Sequence, residues 1–145
     1  MADQTESHIS ISSDPATIMA VIADLPTYPE WTGGVRATEV LTEYEDGRPG
    51  DAKISLESGP IKDTYTLGYE WDGDNSVVWR ITEPGTMVTG MDGVYELVDN
   101  GDGTTTVTYR LAVKVNLPML GMMKRKAEKV IIDSALKGLK QRVEG

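Results

Sequence analysis

The strongest constraint on this chain is its last stretch, Pro118 to Glu144, whose pattern is that of one long amphipathic helix. Apolar residues at Leu120, Met123, Ala127, Val130, Ile131, Ala135, Leu136, Leu139 and Val143 recur in steps of three and four, which lines them along one stripe of a 3.6-residue helix. Lys124, Arg125, Lys126, Glu128, Lys129, Asp133, Lys137, Lys140 and Arg142 fill the other faces, so the helix is expected to lie on protein rather than cross a bilayer. At 1.5 Å per residue it spans about 40 Å. Only an extended sheet offers a groove of that length.

The preceding residues supply one. His8 to Ser12 alternate as a half-buried strand, with Ile9 and Ile11 inward and His8 outward. Asp14-Pro15 is a helix start, a capping carboxylate followed by the one residue whose missing N–H costs nothing at the first position. Ile18, Val21, Ile22 and Leu25 form that helix's apolar face, and Pro26 ends it. Leu25 to Trp31 is too broken by proline for a long helix and too apolar for a free loop, so it is expected to lie against something. Strands are then predicted over Val35–Glu45, Ala52–Glu57, Thr64–Trp71, Ser76–Thr82, Met87–Val98 and from Val107 to Val115, separated by clusters of Gly, Pro, Asp and Asn. The phase is clearest where Tyr65, Leu67, Tyr69 and Trp71 alternate with Thr64, Thr66, Gly68 and Glu70. It is as clear where Val107, Tyr109, Leu111, Val113 and Val115 alternate with polar or small residues. In Met87–Val98, Met87, Met91, Tyr95 and Leu97 are taken as inward, and Gly90 and Gly93 mark a bulge or a close approach. Short connections make consecutive strands antiparallel neighbours.

Composition removes several classes of function. The chain has no Cys and one His, which excludes a disulfide framework or thiolate site and argues against zinc; no metal and no cofactor is expected. The longest clean apolar run, Ile18 to Ala23, is far too short for a transmembrane segment, so a cytoplasmic protein is expected, with residues 1–145 as a single domain. Net charge is −9, and Lys124 to Glu144 holds seven Lys or Arg against three acids, +4, leaving −13 elsewhere. So acidic a body disfavours nucleic acid. The basic helix face is either the wet side of a packed helix or a patch for a protein or membrane-surface partner. Asp99-Asn100-Gly101-Asp102-Gly103 has the acids and glycines of a calcium loop but lacks its ligand spacing and closing Glu, and reads as a hairpin turn.

Ile9 and Ile11 before Asp14-Pro15, the helix from Ile18, Tyr28-Pro29-Glu30-Trp31, Gly101-Asp102-Gly103-Thr104-Thr105 leading into Val107-Thr108-Tyr109, and the helix Met119 to Arg142 together resemble the START-like (SRPBCC) superfamily. Within it, they resemble the polyketide cyclase/dehydrase and coenzyme Q-binding group. The resemblance covers nearly the whole chain and implies an α+β helix-grip (START/Bet v 1-like) fold. In that fold a curved seven-stranded antiparallel sheet wraps around the long C-terminal helix, short helices follow the first strand, and a cavity is left between them.

With the phases above, the inward candidates are Trp31, Ile54, Leu56, Tyr65, Leu67, Tyr69, Trp79, Met91, Tyr95, Tyr109, Leu111, Leu120, Met123 and Ala127. Such walls suit a hydrophobic small molecule with sparse oxygen functions: a lipid, a quinone or a polyketide-like ring. All nine aromatics are Trp or Tyr, whose polar tips want partners when buried. Met119, Met122 and Met123 at the helix entrance offer adaptable walls, and Gly121 is placed to loosen the helix start as a gate. Catalysis has less support. Glu70 and Arg110 fall on the outward phase, leaving Glu30, Arg36 and Glu39, or Tyr65, Tyr69 and Tyr109 as proton donors. Binding in the cavity is therefore the first reading, a cyclase or dehydratase the second, and a partner module on the basic helix the third.

Overall fold

The computed structural model describes residues 4–59, 61–116, 118 and 121–145. Its strands are β1 (Thr5–Ile11), β2 (Val35–Val40), β3 (Asp51–Ser58), β4 (Ile61–Asp72), β5 (Ser76–Glu83), β6 (Val88–Asp99) and β7 (Thr105–Val115). They form one seven-stranded antiparallel sheet in the order β1-β7-β6-β5-β4-β3-β2. Only β1 leaves sequence order, crossing to pair with β7. The helices are α1 (Pro15–Ala23), α2 (Tyr28–Trp31) and α3 (Gly121–Glu144), with a 3-10 turn at Leu25–Thr27 between the first two. The Asp14 carboxylate accepts from the Thr17 N–H at 3.2 Å, the cap expected of Asp-Pro.

Each strand's inward phase follows its alternation: Tyr65, Leu67 and Tyr69 in β4, Val77 and Trp79 in β5, and Val107, Tyr109, Leu111 and Val113 in β7 are buried. β6 slips register between Val88 and Gly90, so Val88 is fully buried while Met87 before it is half-buried. Gly93 is the close approach: a Cβ there would lie 2.1 Å from the Trp79 ring, so the indole rests on bare backbone. β2 is shorter than predicted, ending at Val40 instead of Glu45. Beyond it Leu41 and Thr42 both donate to the Asp51 carbonyl, and the chain turns through an isolated bridge between Glu43 and Pro49.

α3 packs mainly on β1 and β7 and meets α1 and α2 on its other side. Its buried stripe is Glu128, Ile131, Ile132, Ala135, Leu136 and Leu139. The expected stripe is correct from Ile131 onward and wrong at Met123 and Val130 before it, while Ala127 is half-buried against the core and Leu120 lies outside the described residues. Met123 and Val130 are 52% and 51% exposed, whereas Glu128, read as a wet-face residue, is 2% exposed. The reason is chain geometry. The described pairing of β1 with β7 begins at Thr5–Leu111, and the Val113 N–H two residues further along β7 donates to Glu128 Oε2 at 2.7 Å. Thr5 Oγ1 donates to Glu128 Oε1 at 2.6 Å. One carboxylate thus ties the first half of α3 to both strands.

Asp63 performs a similar service at the β5–β6 turn, accepting backbone N–H groups from Thr64, Thr86, Met87 and Val88 at 2.7–3.2 Å. Partial burial works against its charge, but the four donors outweigh it and hold the carboxyl below the usual Asp range. A depressed folded-state pKa contributes stability that is present above the unfolded value of about 3.9 and is lost as pH falls through the folded one. Asp63→Asn is therefore expected to cost about 2 kcal/mol at neutral pH, and urea unfolding should show its gap from wild type closing as pH drops below that window. A gap that is constant with pH removes the carboxylate charge from the account.

Candidate functional site

Between α2, α3 and the concave face of the sheet lies a cavity of about 60 Å³. Its floor is aromatic and crosses four adjacent strands. Tyr69 of β4 stands opposite Trp79 of β5, and Tyr95 of β6 opposite Tyr109 of β7. The Trp79 ring lies 5.9 Å from Tyr69, 5.4 Å from Tyr95 and 5.5 Å from Tyr109, and the last two rings are 4.5 Å apart. Tyr65, Leu67, Met91, Leu111, Ile54 and Leu56 complete the sheet side. Tyr28, Trp31 and Val35 close one end, and Ile131 and Ala135 of α3 form the roof.

Most of the wall's polar side chains find no partner among the described residues. Among the described residues, tyrosine hydroxyls donate from Tyr28 to the Ile22 carbonyl and from Tyr44 to the Tyr69 carbonyl, and the four phenols of Tyr65, Tyr69, Tyr95 and Tyr109 have no partner. The Trp31 indole N–H is buried and likewise unpartnered. Burial pushes all four phenols well above the usual tyrosine range, and the neighbouring phenols add to the shift for Tyr65, Tyr69 and Tyr95. They are neutral O–H groups, able to donate to an oxygen and unable to serve as bases near neutrality.

Eleven of the fourteen inward candidates line this cavity: Trp31, Ile54, Leu56, Tyr65, Leu67, Tyr69, Trp79, Met91, Tyr95, Tyr109 and Leu111. Ala127 is half-buried against the core without reaching the cavity, and Met123 points to solvent. Met122, expected as a soft wall, is 77% exposed. Leu120 and Met119 lie outside the described residues. Tyr28, Ile131 and Ala135 also line the cavity, although none of them was expected there from the sequence. Tyr28 sits in the proline-broken segment that was expected to lie against something, and its neighbour Trp31 packs edge-on to it at 4.9 Å.

No charged side chain lines the cavity among the described residues. Glu30, Arg36, Glu39 and Glu70 are exposed, and Arg110 is held on the outer face by Glu6 and Glu96. Nor does any group of three His, Asp or Glu among the described residues stand where it could hold a metal ion. At about 60 Å³ the space is that of about two waters and well under the ~150 Å³ that accepts a benzene ring. A ligand therefore enters only as a wall moves. The wall next to solvent is α2, preceded by Pro26, with Pro29 in its first turn, and followed by Gly33 and Gly34, the latter at φ 101°. It is tied to α3 by an exposed Glu30–Arg142 pair at 3.1 Å and by close backbone packing of Trp31 on Gly138.

A family described as polyketide cyclase / dehydrase and lipid transport matches residues 2–144. Among solved structures, the chain is similar to a START superfamily protein from Mycobacterium smegmatis, at 23% identity and a TM-score of 0.88 over 97% of each chain. It is similar also to the Zhui aromatase/cyclase from Streptomyces sp. R1128, at 13% identity and a TM-score of 0.80 over 99% of this chain and 94% of that one. A protein from Thermus thermophilus is 22% identical, with a TM-score of 0.80 over 98% of this chain and 97% of its own. At these identities the likenesses show a shared fold. No curated protein matches the chain.

Proposed function

We propose that this chain, which belongs to the polyketide cyclase / dehydrase and lipid transport family, binds a hydrophobic, flat small molecule bearing a few oxygen functions, in the cavity between sheet and α3. The observation that carries this reading is the set of four cavity-lining phenols without a partner among the described residues, beside one buried indole N–H that also has none. A buried donor left unmade costs about 1–3 kcal/mol. A ligand carbonyl or hydroxyl entering the cavity removes that cost, and the aromatic floor offers offset stacking to a planar ring. A quinone or a polyketide-like ring answers both features; an acyl chain answers only the apolar walls.

Native mass spectrometry of the protein purified from its own host, followed by organic extraction, tests this directly. A stoichiometric hydrophobic molecule with ring oxygens is the expected result, and a protein that is empty and takes up no quinone or aromatic polyketide overturns it. A second test uses Tyr65→Phe and Tyr109→Phe. Because neither hydroxyl bonds to another described residue, each change is expected to leave the unfolding midpoint unchanged while weakening ligand binding about tenfold. Equal losses of folding and binding would make them core residues only.

A cyclase or dehydratase reading draws on the likeness to the Zhui aromatase/cyclase. The chain offers it neutral phenols as hydrogen-bond or proton donors, with no carboxylate or imidazole in the cavity wall among the described residues. Turnover of an aromatic polyketide precursor that falls with Tyr109→Phe at unchanged affinity would favour it over binding alone.

A further inference from the structure

We infer that the exposed first turns of α3, Met122 to Val130, dock on an anionic bilayer surface. The basic face read from sequence ran the length of the helix, but the structure divides it. Lys129 is paired with Asp133, Lys140 with Glu144 and Arg142 with Glu30. Among the described residues only Lys137 is unpaired in the second half, whereas Lys124, Arg125 and Lys126 all make no ion pair. The nearby carboxylate that might have neutralised them, Glu128, is turned inward onto Thr5 and Val113. These cations also stand at the end of the helix where the backbone dipole is positive, and no acidic residue occupies its first turn. They weaken the helix they sit on, so helix stability does not account for them.

Exposed apolar side chains share this end of the helix. Of the six large hydrophobics exposed among the described residues, Met122, Met123 and Val130 fall within these nine positions. Unbranched, adaptable Met chains beside Lys and Arg, whose stems can lie along acyl chains while the charges stay among headgroups, are the makings of an interfacial helix. The whole protein is −9 with this patch included, so the remainder is more acidic still and is repelled by the same surface; only this end can approach it. A second copy of the chain offers negative charge too, but a stable protein interface needs about 20–30 residues a side. Two helical turns fall short of that, whereas a bilayer demands no matched shape. The inference does not rest on the cavity reading: it uses no residue of the cavity wall.

The test is flotation of the whole protein with vesicles of phosphatidylcholine alone and of phosphatidylcholine mixed with phosphatidylserine. Retention is expected on the mixed vesicles only, falling as salt is raised. Lys124→Glu/Arg125→Glu/Lys126→Glu is expected to lower partitioning about 100-fold, and each single reversal about fivefold. Met122→Ser/Met123→Ser should weaken retention while leaving its salt dependence. Lys137→Glu, an exposed cation on the other half of the helix, should change little, and thermal unfolding should be lowered in none of the charge reversals at Lys124, Arg125 and Lys126, since acids at the start of α3 favour the helix. No retention of the wild type on anionic vesicles, or equal loss with Lys137→Glu, overturns the inference. So does a lipid-free, concentration-dependent dimer that the triple reversal abolishes, which would assign the patch to a second copy.

Discussion

Replacing Gly138 with alanine is expected to destabilise the protein by about 2–3 kcal/mol, although the same change on an open helix face stabilises by about 1 kcal/mol. The sign is decided by one contact. A Cβ on Gly138 would lie 1.8 Å from the Trp31 carbonyl oxygen and 2.8 Å from its carbonyl carbon. Both are backbone atoms, so no rotamer change relieves the clash and α2 must retreat from α3. Urea unfolding monitored by circular dichroism gives the stability, and a quinone titration gives the second readout. Because Trp31 and Tyr28 close one end of the cavity, displacing α2 is expected to speed ligand entry and exit even as the fold weakens. A Gly138→Ala protein as stable as wild type would show that α2 is not packed against this helix in solution.

The other large effect is expected at Glu128, where alanine should cost about 3 kcal/mol and glutamine about 1 or less. Alanine leaves the Val113 N–H and the Thr5 hydroxyl without their acceptor in a buried setting. Glutamine can still accept from Val113 through its oxygen and donate to the Thr5 hydroxyl through its amide. Hydrogen exchange at the Val113 amide separates the two: fast in the alanine protein, protected in the glutamine one. Equal losses for both substitutions would mean that the negative charge, rather than the pair of hydrogen bonds, secures the helix.

The sheet was readable because its information is local and redundant. In β7 five bulky residues alternate with polar or small ones, and a strand can bury that pattern on one side only. The helix was readable as a helix but not in phase. Met123, Ala127 and Val130 satisfy steps of three and four, yet at about 100° per residue Met123 and Val130 stand roughly opposite the buried stripe. A pattern that sorts Glu with the wet residues has no means of recognising that Glu128 answers an unpaired strand N–H contributed by residues far away in the chain. Ile132, fully buried, was passed over for the same reason. The cavity wall was legible wherever strand phase was, in Tyr65, Tyr69, Tyr95 and Tyr109. Its size was not, because the pattern that lines a pocket also fills a core, and only the packing of α2 and α3 on the sheet separates the two.

The aromatic floor has one more consequence. Two of the chain's three tryptophans, Trp31 and Trp79, are part of the cavity wall, and Trp79 is ringed by Tyr69, Tyr95 and Tyr109. The third, Trp71, does not line it: its indole N–H lies on the Pro49 carbonyl at 2.8 Å and its ring beneath the Arg48 guanidinium, stacked on Tyr69 at 5.8 Å. Ultraviolet excitation absorbed by those tyrosines is therefore handed to an indole that an incoming quinone would touch, and through Tyr69 to Trp71 as well. The protein carries its own optical gauge of occupancy, and it needs no dye to report when the space beneath α3 is full.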